Sequence, residues 1–385
     1  MSIPISSRVS RIPPSAIHEM TRLSRQVKDV AFLSWAKPTT GTPEHINRAA
    51  VAAIESGRTG GYSSPAGLDS LREAVCAKLI SFNGIKADPE EIIITVGAIE
   101  GLAAAVLAVV DPGDEVMIPV PGYSTHVRQV ELASARPVCV PTRENKGFRL
   151  DLDHMAAAVT PRTRAILYSD PNNPTGSVYS REELESLSEL ARRHNLVVIT
   201  DEAYEYFTFD GHRHHSIASL PGMAERTISV FTFTKTYAMT GWRIGYLHAP
   251  RELAAQIKKA HIPLAICAPV VSQFAALEAL TGSQDCIRDF HAHYRNARDL
   301  MCRRLDALAD VFDYQTPRGS YLMFPRLKNA EHADSLDVAR RLLLESRVST
   351  TPGIAFQGES HLRLSFCVPE EMIDKAFDRM EEFFT

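Results

Sequence analysis

From about Glu90 to Tyr246 the chain repeats one pattern: a short apolar run, a helical stretch, then another apolar run. The runs are "EIIITV", "DEVMIPV", "RPVCVP", "TRAILYSD", "LVVITD" and "TISVFTFT". Each is nearly continuous in Val, Ile and Leu rather than alternating with polar residues, as expected of strands buried on both faces. Strands that alternate with helices imply right-handed crossovers and a mainly parallel sheet. Gly97 opens a small-residue helix, Ala98 to Val110, and a second helix runs through Val127–Ala133. A third spans Ser180 to His194 and starts with a Ser180-x-x-Glu183 capping box.

After about Asp285 the pattern changes. A long helix from Cys286 to about Ala309 precedes short strands around 319–324 and 362–366, and a final helix runs from Pro369 towards Phe384. The expected fold is α/β: a mainly parallel sheet with helices on both faces, plus a smaller α+β C-terminal domain. The expected division is an N-terminal arm with part of the small domain (1–45), a large domain (46–284) and a small domain (285–385).

The net charge of −4 over 385 residues argues against a nucleic-acid surface, which shows as a basic stripe. No apolar run approaches the ~18 residues of a membrane span. The first 20 residues lack the apolar core of a secretory signal. Six scattered cysteines without C-x-x-C spacing fit reduced thiols, so a cytoplasmic location is expected. The segment "GHRHHS" (His212, His214, His215) lacks helical ligand spacing; a solvated polar loop is expected there, and no metal site.

Ligands of an open parallel sheet sit at the carboxyl ends of its strands, and the unusual residues fall there. In "FTFTKTYAMTGWRIGYL" an apolar strand runs into Lys235, with Arg243 eight residues on. Asp201 and Tyr204 end "LVVIT", Asn173 lies in "PNNPTG", Gly97-Ala98-Ile99 begin a helix, and Tyr123 follows "VMIPVPG". A lysine in an apolar pocket loses its proton readily and becomes an amine nucleophile towards aldehydes. A carboxylate in the same pocket can keep a pyridine nitrogen protonated, which makes the ring an electron sink. A helix N-terminus with hydroxyls and a guanidinium makes a dianion site. Together these describe a pocket for pyridoxal 5′-phosphate.

The ordered set "PNNPTG", "TDEAY" and "KTYAMTGWRIGY" resembles the fold type I pyridoxal-phosphate enzymes, in the aspartate-aminotransferase-like branch of the class I/II aminotransferases. The resemblance covers nearly the whole chain. It implies that Lys235 bonds the cofactor as a Schiff base, Asp201 pairs with the pyridine N–H, and Asn173 and Tyr204 hydrogen-bond the ring oxygen. It implies further that Ala98, Ile99, Thr232 and Arg243 hold the phosphate and that Tyr123 stacks on the ring. Arg363, in "HLRLSF", would take the substrate α-carboxylate. Tyr62 would reach the phosphate of a neighbouring subunit, which makes the expected assembly a homodimer with composite sites. The implied substrates are an L-amino acid and a 2-oxo acid.

One segment departs from the family pattern. In "LSWAKPTTGTPEHI", Ala36 stands where a glycine is usual and Lys37 where Glu or Gln is common. That places substrate choice, with Ala36, Lys37 and Asn173 near the substrate, apart from cofactor binding. Transamination is the expected reaction; elimination or cyclisation, for example on a substrate like S-adenosylmethionine, is the alternative. A DNA-binding regulator of this fold carries a DNA-binding domain ahead of it, and with so short an arm before the fold that reading is not expected.

Overall fold

The structure, a computed structural model, describes residues 3–329 and 334–384, so the outer limits 1 and 385 of the expected domains lie outside the described residues. A seven-stranded sheet organises the larger part. Its strands are β2 (Ile92–Thr95), β3 (Glu115–Val120), β4 (Arg136–Pro141), β5 (Thr163–Ser169), β6 (Val197–Asp201), β7 (Thr227–Thr232) and β8 (Gly245–His248). They lie in the order β2-β8-β7-β6-β5-β3-β4. All neighbours are parallel except β8, which runs antiparallel to both β2 and β7. Burial on both faces explains the continuous apolar runs: β2, β3 and β8 are buried at every position.

Apolar layers cover the two faces. Helix Gly97–Val109, helix Ser124–Leu132 and helix Arg251–Ala265 pack on one side through Leu102, Val106, Val130 and Ile257. Helix Arg181–Arg193 packs on the other through Leu184, Leu187 and Leu190. Its N-terminus carries the expected reciprocal cap between Ser180 and Glu183.

A second body is built on helix Asp285–Ala307, helix Ser335–Ser346 and helix Glu370–Phe384. Here β10 (Leu322–Met323), β13 (Thr351–Pro352) and β14 (Leu362–Ser365) form an antiparallel sheet. The N-terminal arm joins it: β1 (Ala31–Phe32) pairs in parallel with β12 (Val348–Ser349). The strand expected around 319–324 is shorter: Gly319 makes only an isolated bridge to Thr208, Ser320 takes a left-handed φ of 61°, and the ladder with the strand Leu362–Ser365 begins at Leu322.

The expected strand "TISVFTFT" also stops early. β7 ends at Thr232, whose hydroxyl accepts from the Thr234 N–H and starts a one-turn helix, Phe233–Thr236. Lys235 therefore projects from a capped turn just past the sheet rather than from the strand itself.

Candidate active site

A cavity of ≈ 650 Å³ opens where β5, β6 and β7 end and the second body meets the sheet. Ala98, Ile99, Tyr123, Asn173, Asp201, Tyr204, Thr232, Lys235, Arg243 and Arg363 all line it, as do Ala36 and Lys37. Ser34, Thr234 and Thr351 add hydroxyls, and Ile17, Met20 and Trp35 add an apolar wall.

Lys235 is strongly perturbed. Burial pushes its pKa down to about 8, reinforced by the nearby Arg363 and Arg243 and opposed by Cys367 and Asp201. Its Nζ donates to the Ala36 carbonyl at 2.6 Å, and the Tyr321 hydroxyl donates to the same oxygen at 3.1 Å. Arg363 is 3% exposed and forms no ion pair with a carboxylate among the described residues. Its Nη2 donates to the Ser34 carbonyl at 2.7 Å and the Thr351 hydroxyl at 3.2 Å, and its Nη1 to Asn173 Oδ1 at 3.3 Å. Its buried Nε has no hydrogen-bond partner among the described residues. Burial lowers its pKa, and nearby Tyr204, Tyr123 and Tyr321 oppose the shift. Burial keeps the Tyr204 phenol neutral by pushing its pKa well up.

Helix Gly97–Val109 opens on the cavity. The first N–H groups of a helix have no intrahelical acceptor, so those of Ala98 and Ile99 are available to an anion. Gly97 has φ +70°, and a Cβ there would fall 2.5 Å from Arg243 Nη2. Only glycine lets the guanidinium lie against the helix start. The hydroxyls of Thr232 and Thr234 lie 2.9 Å apart on the same rim.

Sequence reasoning missed several participants. His126, on helix Ser124–Leu132, reaches Asp201 Oδ2 with Nε2 at 3.3 Å and meets Tyr123 edge-on at 5.5 Å. Its position three residues after Tyr123, on the same turn, was the available signal. Ser34, Thr351 and Tyr321 hold Arg363 or the Ala36 carbonyl, and nothing local in the sequence marks them.

Tyr62 is 81% exposed and lies outside the cavity of its own chain. One expectation changes. The polar loop "GHRHHS" is not uniformly solvated: the His214 side chain is 4% exposed and sits between Asp170 and Glu202. Glu202, Glu205 and His214 place ligand-type atoms within 4.8 Å of one another. Lys78 donates to Glu205 there, and His214 to Glu202, so side-chain cations already occupy those carboxylates.

The comparisons agree with this geometry. Residues 28–380 match the family "Aminotransferase class I and II". The aromatic-amino-acid aminotransferase 2 of Thermococcus litoralis is 37% identical over 383 residues, 98% of this chain and 97% of the relative. The aspartate aminotransferase of Pyrococcus abyssi is 37% identical with the same coverage. Among solved structures, the Thermus thermophilus aspartate aminotransferase with maleate superposes with a TM-score of 0.93 at 35% identity, covering 99% of this chain and 100% of that one. With a lysine, a carboxylate and an unpaired arginine converging at the strand ends, and with matches that run nearly end to end, the chain belongs to the class I and II aminotransferases.

Proposed function

We propose that the protein transfers an amino group from an L-amino acid to a 2-oxo acid, using pyridoxal 5′-phosphate held by the residues of this cavity. The observation that carries the reading is a charge imbalance. Lys235, Arg243 and Arg363 line one buried cavity, and Asp201 is the only carboxylate among its lining residues. Such a cavity needs anionic ligands, and a phosphate and a substrate carboxylate supply them. When bound, the cofactor supplies an electron sink for the electrons left at Cα.

The protein's own residues do the rest. Ala98 and Ile99 N–H groups, Thr232 and Arg243 would hold the phosphate at the helix start. Asp201, positioned by His126, would keep the pyridine nitrogen protonated. Asn173 and Tyr204 would donate to the ring oxygen, with Tyr123 beside the ring. Lys235 would hold the cofactor aldehyde and serve to move a proton at the substrate Cα; a pKa near 8 leaves a usable fraction of free amine near neutral pH. Arg363 orients the α-carboxylate. The larger lobe, 46–284, carries the cofactor contacts, and 1–45 with 285–385 carries Arg363.

Tyr62, exposed on its own chain, completes the phosphate site of a second copy, so the working unit is a homodimer in the cytoplasm. No helix among the described residues is long and apolar enough to cross a membrane. Elimination rests on Ala36 and Lys37 alone, whereas the relatives named above are aminotransferases. Borohydride reduction of the holoenzyme and peptide mapping test the assignment: the pyridoxyl mass belongs on Lys235, and label on another lysine refutes it. Light scattering tests the assembly, with about twice the 42.6 kDa chain mass expected.

A further inference from the structure

His214 lies in the connection between β6 and β7, outside the cavity, with a buried side chain. Its Nδ1 is 3.2 Å from Asp170 Oδ2 and its Nε2 is 2.7 Å from Glu202 Oε2. Both partners are carboxylates, which only accept hydrogen bonds when ionised. One imidazole can satisfy both only if both nitrogens carry protons.

The two acids belong to the segments that carry the site. Asp170 follows β5, three residues before Asn173. Its N–H donates to the Asp201 carbonyl at 3.1 Å, and its Oδ1 accepts the Tyr179 N–H at 3.0 Å. Glu202 follows Asp201 directly. Its N–H donates to the Val230 carbonyl at 2.8 Å, and its Oε1 accepts from the Thr200 hydroxyl at 2.7 Å. The Ser216 hydroxyl also donates to Glu202. Asn83 then links Ser216, at 2.9 Å, to Glu205, at 2.7 Å, and Lys78 donates to Glu205. His214 is the side chain that touches both Asp170 and Glu202.

We propose that His214 is a positioning residue: its doubly donating ring clamps the loop that carries Asn173 to the strand end that carries Asp201 and Tyr204, and so fixes their separation. The role rests on the site assignment given under Proposed function. Without the ring, two buried carboxylates face each other across a void. They separate or share a proton, and either response moves Asn173 relative to Asp201. The groups facing the ring are Asp170, Glu202 and Ser216, with Glu205 and Lys78 behind them and His215 beside it. Burial alone would lower the pKa of His214, but its hydrogen bonds to Asp170 and Glu202 raise it to about 10.

The native protein gives the first test. Nitrogen NMR of the His214 ring is expected to show both nitrogens protonated at about pH 7.5; a neutral tautomer overturns the clamp. The holoenzymes of His214→Gln and Asp170→Asn give the second. Both are expected to lose about tenfold or more in kcat with KM for the amino donor within about threefold. The pH midpoint of their visible cofactor absorption is expected to move by about half a unit or more. A lowered Tm with kcat and midpoint unchanged overturns the proposal, because it marks a packing residue only. If His214→Gln does not fold, the NMR result and Asp170→Asn decide. Asp201→Asn, run in parallel, separates the two claims. Near-normal turnover there defeats the site assignment; its collapse beside silent His214 and Asp170 variants defeats the clamp alone.

Discussion

Asp201 and Glu202 are neighbours in the chain, yet each serves a different set of buried charges. Asp201 lines the cavity with Lys235, Arg243 and Arg363, none of which forms an ion pair with a carboxylate among the described residues. Glu202 belongs to the network beyond the cavity, in which His214 bridges Asp170 and Glu202 and Lys78 meets Glu205. Burying a charge is costly unless it is paired. The network satisfies its charges from within the chain, so it acts as scaffold. The cavity leaves its cations unsatisfied and depends on an anionic ligand from outside. Pairing within the chain therefore separates the part that holds shape from the part that does chemistry.

The sharpest way to break that comparison is to delete one cation from each side. Lys235→Met is expected to lower turnover by about 10⁴-fold or more, since proton transfer at Cα has no other amine in place. The same change should stabilise the cofactor-free protein. The Lys235 pKa is lowered on folding, from 10.5 to about 8. Its ammonium therefore destabilises the fold at low pH, and the penalty fades as pH rises from about 8 to 10.5. The gain from Lys235→Met is about 3 kcal/mol below pH 8 and vanishes towards pH 10.5. Denaturant titrations of the apo forms at several pH values measure it; a destabilised variant at pH 7 would contradict the reading.

The paired side should respond in the opposite sense. Lys78 is buried over the rings of Phe82, Tyr206, Phe231 and Tyr246, and it donates to Glu205 and Asn83. Lys78→Met leaves the Glu205 carboxylate buried with Asn83 as its remaining donor. The expected cost is about 3–5 kcal/mol of stability, read from urea unfolding, with kcat of the folded enzyme changed far less than in Lys235→Met. His214 should show its own pH signature. Its folded pKa is raised above the ordinary 6.5 to about 10. Its stabilising contribution is therefore complete below about pH 6.5 and is lost as pH climbs towards 10.

Arg363 sharpens the comparison from the ligand side. Three donors are engaged by Ser34, Thr351 and Asn173, and they hold the fork in place while Nε is left unpaired. With Arg363 in its proposed role at the substrate carboxylate, Arg363→Leu removes a charge-assisted contact of roughly 1.5–3 kcal/mol. That predicts a tenfold to hundredfold fall in kcat/KM, carried mostly by KM. The apo protein should lose little stability, because the charge removed had no carboxylate partner among the described residues. A large stability loss with unchanged KM would place Arg363 in the scaffold.

The ligand side was more legible in the sequence than the scaffold. Lys235, Asp201, Asn173 and Gly97 stand out because each breaks an apolar run at a strand end, where the βαβ pattern puts ligands. His214 does not stand out: in "GHRHHS" its neighbours are polar, and its partners Asp170 and Glu202 come from other segments. Lys78 sits in an ordinary amphipathic helix, and Glu205 and three of the rings that bury it, those of Tyr206, Phe231 and Tyr246, lie far off in sequence. His126 was hidden for the same reason. Chemistry aimed at an outside ligand leaves unpaired residues that look odd locally. Chemistry satisfied inside the chain is a long-range pairing that one stretch of sequence does not display. The short turn at Lys235 escaped for a local reason, since Thr232 and Thr234 read equally well as strand residues or as a cap.

Lys37 lies on the border between the two classes and carries the smallest expected effect. It lines the cavity, its side chain is exposed, and its Nζ stands 5.7 Å from the centre of the Trp35 ring. No carboxylate pairs with it among the described residues, so by the rule above it faces an outside anion. The sequence departs from the family pattern at this position in the same direction, from an acid or amide to a cation. A substrate with a second negative group beyond its α-carboxylate would meet Lys37 at the rim. Exposure limits the gain, because water screens the charge, and an effect of about two- to fivefold on kcat/KM is the most such a contact gives. Lys37→Gln, assayed with an acidic and a neutral amino donor at low ionic strength, isolates that contribution. The acidic donor alone should lose activity, and added salt should shrink the difference. Equal loss for both donors would mean that Lys37 acts by shaping the Trp35–Ala36 segment, whose carbonyl holds Lys235, and not by its charge.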